Sequence, residues 1–302
     1  MAYLRRLPKF EYLAPRTIAE ACDLLAAHHD RAELLAGGTD LLLQMRRRET
    51  TPSHVIGLKG VAEMAGIRVL DDGGVAIGAM TTLQAFLSSP IVRGRYPVLA
   101  EAAATIGGVE LRNVATVGGN IAGALPCADL PPALITLGAN VRLASSSGER
   151  VVPLDEFFPQ FGTTAARPDE LLTTILLPDI PSFSGGAYLK FHDRQSMDMT
   201  TVGVGAFVTL DEDGKIFRNV RIALASSAPV PLRARKSEAL LRGRPCTDEA
   251  LEAAALAVCE EANPRSSWRA SRDYRFELLR GLTKRAITNA RRNASPTIGD
   301  LS

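Results

Sequence analysis

The chain has 302 residues, 46% of them apolar and 23% charged, and a net charge of +2. That length suits two domains, each with its own core, and the balance excludes a disordered chain or a fibrous repeat. The near-zero charge leaves no footprint for nucleic acid, and no apolar run resembles a signal sequence or a membrane span, so a cytoplasmic location is expected.

The first element in chain order is a helix from about Ile18 to Ala27, announced by the capping-box string Thr17-Ile18-Ala19-Glu20 and by apolar residues at helical spacing behind it. A short strand, Glu33 to Ala36, runs into Gly37-Gly38. A helix from Leu41 to Arg48 then leads to a second strand, His54 to Leu58, and a helical crossover of that kind makes the two strands parallel. The turn Asp71-Asp72-Gly73-Gly74 joins two strands, Gly66–Leu70 and Val75–Gly78, in an antiparallel hairpin. Helices near Thr82–Ser88 and Val98–Ala104 precede a glycine-rich region from Thr105 to Gly123. Beyond it come a turn, Asp129 to Pro132, an apolar helix over Ala133–Gly138, and strands at Asn140–Ala144 and Leu171–Leu177.

The stretch from Pro178 to Gly186, rich in Pro, Gly and Ser, reads as a linker, and the domain boundary is placed there: residues 1–180 and 181–302, the first with subdomains of about 1–58 and 59–180. Strands Ala187–His192, Val202–Leu210 and Lys215–Ala225 follow. Helices then run from Arg233 to about Arg292, so the second domain is expected to be a three-stranded antiparallel sheet packed on helices. From Pro264 to Asn293 there are nine Arg or Lys and two acids, which is either a solvated helix face or a docking surface for an acidic partner.

The four cysteines, Cys22, Cys127, Cys246 and Cys259, lack the close spacing of zinc or iron–sulfur ligands, and the four histidines form no ligand pattern. No metal site and no catalytic nucleophile or triad is expected. What stands out instead is a pair of glycine loops, Ala36-Gly37-Gly38-Thr39-Asp40 and Thr116-Val117-Gly118-Gly119-Asn120. Glycine pairs bordered by Thr let successive backbone N–H groups face one concavity, where phosphate oxygens can be held. The first loop joins a strand to a helix, whose N-terminus adds partial positive charge. A third loop, Thr105-Ile106-Gly107-Gly108, repeats the pattern. None matches the G-x-G-x-x-G fingerprint or the P-loop, which argues against a Rossmann enzyme or an NTPase.

Three strings, Leu34 to Leu41, Val109 to Ala122 and Cys127 to Leu134, resemble the FAD-binding medium subunits of molybdenum hydroxylases, the family that includes the carbon monoxide dehydrogenase medium subunit and the FAD-binding part of xanthine dehydrogenase. Glu170-Leu171-Leu172-Thr173, Ser227 to Ala234 and Leu240 to Gly243 extend the resemblance over nearly the whole chain. It implies an α+β chain with a two-subdomain FAD-binding fold of the vanillyl-alcohol oxidase/MurB-like type, followed by the family's C-terminal domain.

It also implies the site. Leu34, Leu35, Ala36, Gly37, Gly38, Thr39, Asp40 and Leu41, with Thr116, Val117, Gly118, Gly119 and Asn120, would hold the pyrophosphate of FAD. Ile106, Gly107 and Leu111 would border the adenosine side, while Gly123, Asp129, Leu172 and Lys190 would lie near the ribityl chain, the adenine ribose or the ring. Asp129 either accepts from cofactor hydroxyls or the ring N–H, or caps the helix after Pro131-Pro132. Lys190 either sets a positive charge near the flavin or faces solvent from its strand. Phe191 to Met199 matches a mobile loop beside the ring.

By the same resemblance, a large partner subunit carries the molybdenum cofactor and a small one carries two [2Fe-2S] clusters, in a dimer of heterotrimers. Electrons would then pass through FAD to an external acceptor. A 4-hydroxybenzoyl-CoA reductase subunit is disfavoured, because Asn120 to Ala133 holds one cysteine and no cluster-bearing insertion. The remaining rivals are a self-contained flavin oxidoreductase and a flavin-free structural subunit.

Overall fold

The computed structural model describes residues 6–194 and 196–294. Its first sheet is parallel, in the order β1-β3-β2, built from β1 (Glu11–Leu13), β2 (Ala32–Leu35) and β3 (His54–Gly57). Helix α1 (Ile18–His28) starts where Thr17 Oγ1 accepts from the Glu20 N–H at 3.1 Å, while Glu20 reaches back to the Arg16 N–H. Helix α2 (Leu41–Arg47) makes the crossover between β2 and β3 and ends on Arg48 in the left-handed conformation. Strand β1 was not foreseen; it is three residues long, largely exposed and at an edge, so it carries no apolar alternation to read.

The second sheet is antiparallel, β4-β5-β8-β6-β7. The hairpin of β4 (Ile67–Val69) and β5 (Val75–Gly78) is the one expected. Between β5 and β6 the chain is helical: α3 (Leu83–Ser88), α4 (Pro90–Arg95), α5 (Pro97–Ala104), α6 (Val109–Arg112), α7 (Val117–Ala122) and α8 (Leu130–Leu137). Helix α8 begins three residues before the expected start, since Pro131 and Pro132 fit a first helical turn, where a missing N–H costs nothing. It is buried along its whole length and stops at Gly138 in the left-handed region. The sheet closes with β6 (Asn140–Ser145), β7 (Gly148–Pro153) and β8 (Leu171–Leu177). Strand β7 escaped the sequence because it is a mostly exposed edge strand.

The third sheet, β12-β11-β10-β9, is antiparallel. The expected three strands are there as β9 (Ser184–Phe191), β10 (Val202–Leu210) and β11 (Phe217–Ala225), and a fourth, β12, adds only Leu232–Arg233. The sheet therefore has four strands, the last too short to show a pattern. Nor is the glycine pair Gly185-Gly186 linker: both lie in β9, where a Cβ at Gly185 would strike the backbone at Ala290 and Ala294. These glycines serve close packing of a helix on a strand, not flexibility.

The remaining helices are α9 (Arg235–Leu241), α10 (Asp248–Glu261) and α11 (Arg272–Ala294). Alternate residues of β9 to β11 face two cores. Tyr188, Phe207 and Ala223 join the large core around α5 and α8, while Ala187, Val204 and Ile222 join the core under α10 and α11. Both faces being covered explains why β10 reads as an almost unbroken apolar run. Asp155 ties the two sides with ion pairs to Arg233 (3.1 Å) and Arg235 (2.6 Å).

Candidate cofactor site

Between the first and second sheets runs a cleft of about 840 Å³, at the upper end of the range for cofactor sites. Both glycine loops line it. The ends of β2 and α2 present the first loop, and there the backbone N–H groups from Gly37 to Leu41 have no hydrogen-bond partner among the described residues. Gly38 has a φ of +73°, which turns the chain from the strand into α2. Five successive backbone donors of this loop are therefore free among the described residues.

The second loop behaves differently. Its N–H groups are already used: Val117 donates to Thr81 O (2.9 Å), Gly118 to Ala79 O (2.8 Å), Gly119 to Thr116 Oγ1 (3.0 Å) and Asn120 to Thr116 O (3.0 Å). Thr116 is the N-cap of α7, so the loop is a capped helix start and not a nest of free amides. What it offers the cleft is a surface without side chains. A Cβ at Gly37 would collide with the Val114 carbonyl, so the first loop lies directly on the backbone that leads into the second, while a Cβ at Gly119 would crowd Thr116 Oγ1 of its own cap. Asn120 adds a polar group: its Oδ1 is buried and has no partner among the described residues. An orphaned acceptor in a cleft wall is costly unless a ligand donor meets it.

Asp129 lines the far end of the cleft. It stands at the N-cap position of α8, yet its side chain makes no capping bond. The carboxylate turns to the third sheet instead. Oδ1 accepts from Tyr188 Oη (2.7 Å) and from the Thr200 hydroxyl, and Oδ2 from Lys190 Nζ (2.9 Å). Tyr188 and Lys190 are two apart on β9 and so point to one face. Burial first, then the Asp129 charge, pushes the Tyr188 hydroxyl far above its ordinary range, so it stays a donor. The Lys190 side chain is 3% exposed, and its ammonium also donates to Thr105 O (3.0 Å) and Asp198 O (3.1 Å). It is therefore not solvent-facing, and its three donors are occupied within the protein.

The described part of the Phe191 to Met199 loop folds on Asp198, whose carboxylate accepts from the N–H groups of Asp193, Arg194 and Met199. Asp198 and Met199 reach the cleft, and Ser196 Oγ donates to Gly107 O at 3.3 Å. Near the first loop, burial pushes the Asp40 carboxyl above its ordinary value. On the opposite wall Glu170 is held by Arg150 at 2.6 and 2.7 Å and by the Arg167 N–H at 2.7 Å; the Arg150 bond above all lowers its carboxyl.

Of the residues singled out in the sequence, Leu34, Ala36 to Leu41, Ile106, Gly107, Leu111, Thr116, Gly118 to Asn120, Gly123, Asp129 and Leu172 line the cleft. Leu35, Val117 and Lys190 stand behind its wall. Lining residues that the sequence reading missed include Met80, Leu83, Thr164 and Arg167, which belong to no glycine motif. Among the described residues no group of three His, Cys, Asp or Glu is placed to hold a metal, and no helix is long and apolar enough to cross a membrane.

Two family models match the chain: the FAD binding domain in molybdopterin dehydrogenase over residues 8–180, and the CO dehydrogenase flavoprotein C-terminal domain over residues 187–290. The carbon monoxide dehydrogenase medium chain of Hydrogenophaga pseudoflava is 38% identical over 287 residues, 94% of this chain and 97% of that one. A putative xanthine dehydrogenase FAD-binding subunit of Escherichia coli K12 is 35% identical over 280 residues, 92% and 95% of the two chains. Among solved structures, carbon monoxide dehydrogenase from H. pseudoflava superposes with a TM-score of 0.92 at 37% identity, covering 96% of this chain and all of that one. Quinoline 2-oxidoreductase from Pseudomonas putida 86 gives 0.89 at 29% identity, covering 96% and 99%.

Proposed function

Because this chain belongs to the FAD-binding flavoprotein family of the molybdopterin dehydrogenases, we propose that it is the electron-transfer subunit of a heteromeric molybdenum hydroxylase, with FAD held along the cleft between the first two sheets. The observation that carries the site assignment is the run of unpartnered N–H groups from Gly37 to Leu41, in a cleft also lined by Gly119 and by Asn120 with its unpartnered Oδ1. Such a run suits the oxygens of a pyrophosphate. Burial raises the Asp40 carboxyl, which disfavours its charged form beside those oxygens.

The other residues fix the remainder of the cofactor. Asn120 Oδ1 accepts a hydroxyl or amino hydrogen, and Asp129, already oriented by Tyr188, Thr200 and Lys190, accepts another at the far end. Asp198 holds its loop over the cleft and limits water there. When bound, FAD supplies the redox centre between iron–sulfur clusters of a partner subunit and an external acceptor. The chain itself supplies position, exclusion of water and hydrogen bonds, and no covalent chemistry.

The partners are a large subunit with the molybdenum cofactor and a small subunit with two [2Fe-2S] clusters. The test is affinity purification through a tag on this chain. Copurification of a molybdenum-bearing and an iron–sulfur subunit, with acceptor reduction that is lost when FAD is stripped and regained on its return, supports the reading. A chain that turns over substrate alone contradicts it.

A further inference from the structure

The basic stretch after Pro264 divides in the structure. Farther along α11, Arg280 and Lys284 both converge on Glu252. Near its start, Arg265, Arg269, Arg272 and Arg275 make no ion pair among the described residues. Arg275 is 5% exposed, and its Nε, like that of Arg269, is buried without a hydrogen-bond partner among those residues. Burial first, and then the charges of Arg265 and Arg269, weaken its hold on its proton. This is a cluster of positive charge that the chain leaves uncompensated.

At the centre of the cluster stands Trp268, 82% exposed, with the Arg269 guanidinium 4.1 Å from its ring centroid. The patch is also linked to the cofactor cleft through hydrogen bonds. Arg275 donates to Thr201 O and to Ser267 Oγ, so it clamps the segment carrying Trp268 against the start of β10. The preceding residue, Thr200, donates to Asp129, and Tyr274 packs edge-on against Phe191 at the root of the loop that covers the cleft.

We propose that the surface around Trp268, with Arg265, Arg269 and Arg272, docks a carboxylate-bearing face of a partner protein, which covers the indole and neutralises the arginines. Charge decides the occupant: Arg265 and Arg269 repel Arg275, none of the three has an ion-pair partner among the described residues, and carboxylates arriving from outside offset that repulsion. Trp and Arg are also the side chains that dominate interface energies when buried together. A partner seated here rests against the segment that runs through Thr201 and Thr200 to Asp129 in the cleft wall. The proposal rests on the reading of the chain as one subunit of a larger enzyme.

The test purifies the assembled enzyme through a tag on this chain at rising salt, for wild type, Trp268→Ala, the double variant Arg265→Glu/Arg272→Glu, and Arg285→Glu as a basic control elsewhere on α11. Partner protein per chain, FAD content and melting temperature are read together. Recovery of partner should fall roughly tenfold or more for the first two variants near physiological salt, with FAD content and melting unchanged, and stay at the wild-type level for Arg285→Glu. Wild-type recovery for Trp268→Ala and the double variant, or equal loss with Arg285→Glu, overturns the docking site while leaving the subunit reading intact. Loss of self-association in Trp268→Ala with partner retained overturns it in favour of a second copy of the chain. A wild-type chain that brings down no partner overturns the subunit reading and the docking site with it.

Discussion

Gly37 meets the backbone of Val114 with no space for a side chain between them, so the first glycine loop rests directly on the peptide that leads into the second. The contact accounts for the glycine at position 37, whereas Gly118 answers a different need, since a Cβ there would strike Ala79. Gly37→Val should force the first loop and that peptide apart. The expected cost is about 1–3 kcal/mol of stability, with loss of retained FAD. Denaturant unfolding and the visible flavin spectrum of the purified variant check both.

Much of this site was legible in the sequence, because glycine pairs between Thr and apolar runs have few uses. The helices and longer strands were legible for the same reason, through their spacing. The different work of the second loop was partly written there, since Thr116 is a residue type that caps helix N-termini, but a loop reading hides it. The Asp129 cluster was not legible. Its partners Tyr188, Lys190 and Thr200 lie 59 to 71 residues away and meet only when β9 packs on α8. Thr164 and Arg167 likewise enter the cleft through tertiary packing alone.

Lys190 should act on the cofactor through Asp129. Lys190→Met leaves a buried carboxylate without its cation, and the expected loss is about 3–5 kcal/mol. Tyr188→Phe removes only one donor to the same carboxylate, so about 1–3 kcal/mol is expected. Thermal and denaturant unfolding of the two variants against wild type order these effects; equal stability for Lys190→Met would mean the ion pair holds nothing.

The Asp198 loop should respond to acid in one direction. Burial would raise its carboxyl, but the N–H groups of Arg194, Asp193 and Met199 and the Arg194 side chain outweigh it and bring the value down to about 2. The folded value lies below the ordinary aspartate value of 3.8, so the stabilisation is complete above that pH and is lost as pH falls toward about 2. Hydrogen exchange at the Asp193, Arg194 and Met199 amides should show protection at neutral pH in wild type and little in Asp198→Ala.

Asp40 shifts the other way. Burial raises its carboxyl above its ordinary value, so the charged form is disfavoured. FAD affinity should therefore increase as pH falls toward that raised value, because a charge facing the pyrophosphate is removed. Asp40→Asn should flatten this dependence, as read from FAD dissociation constants across the acidic range.

FAD is proposed to be held by the free amides of Gly37 to Leu41 and by the wall at Asn120. Titration of the flavin-free chain with FAD, followed by flavin fluorescence, tests this most directly. Saturation at one FAD per chain is expected, with affinity weakened roughly tenfold or more in Asn120→Ala and abolished in Gly37→Val. No saturable binding in wild type, or unchanged binding in both variants, would contradict the account.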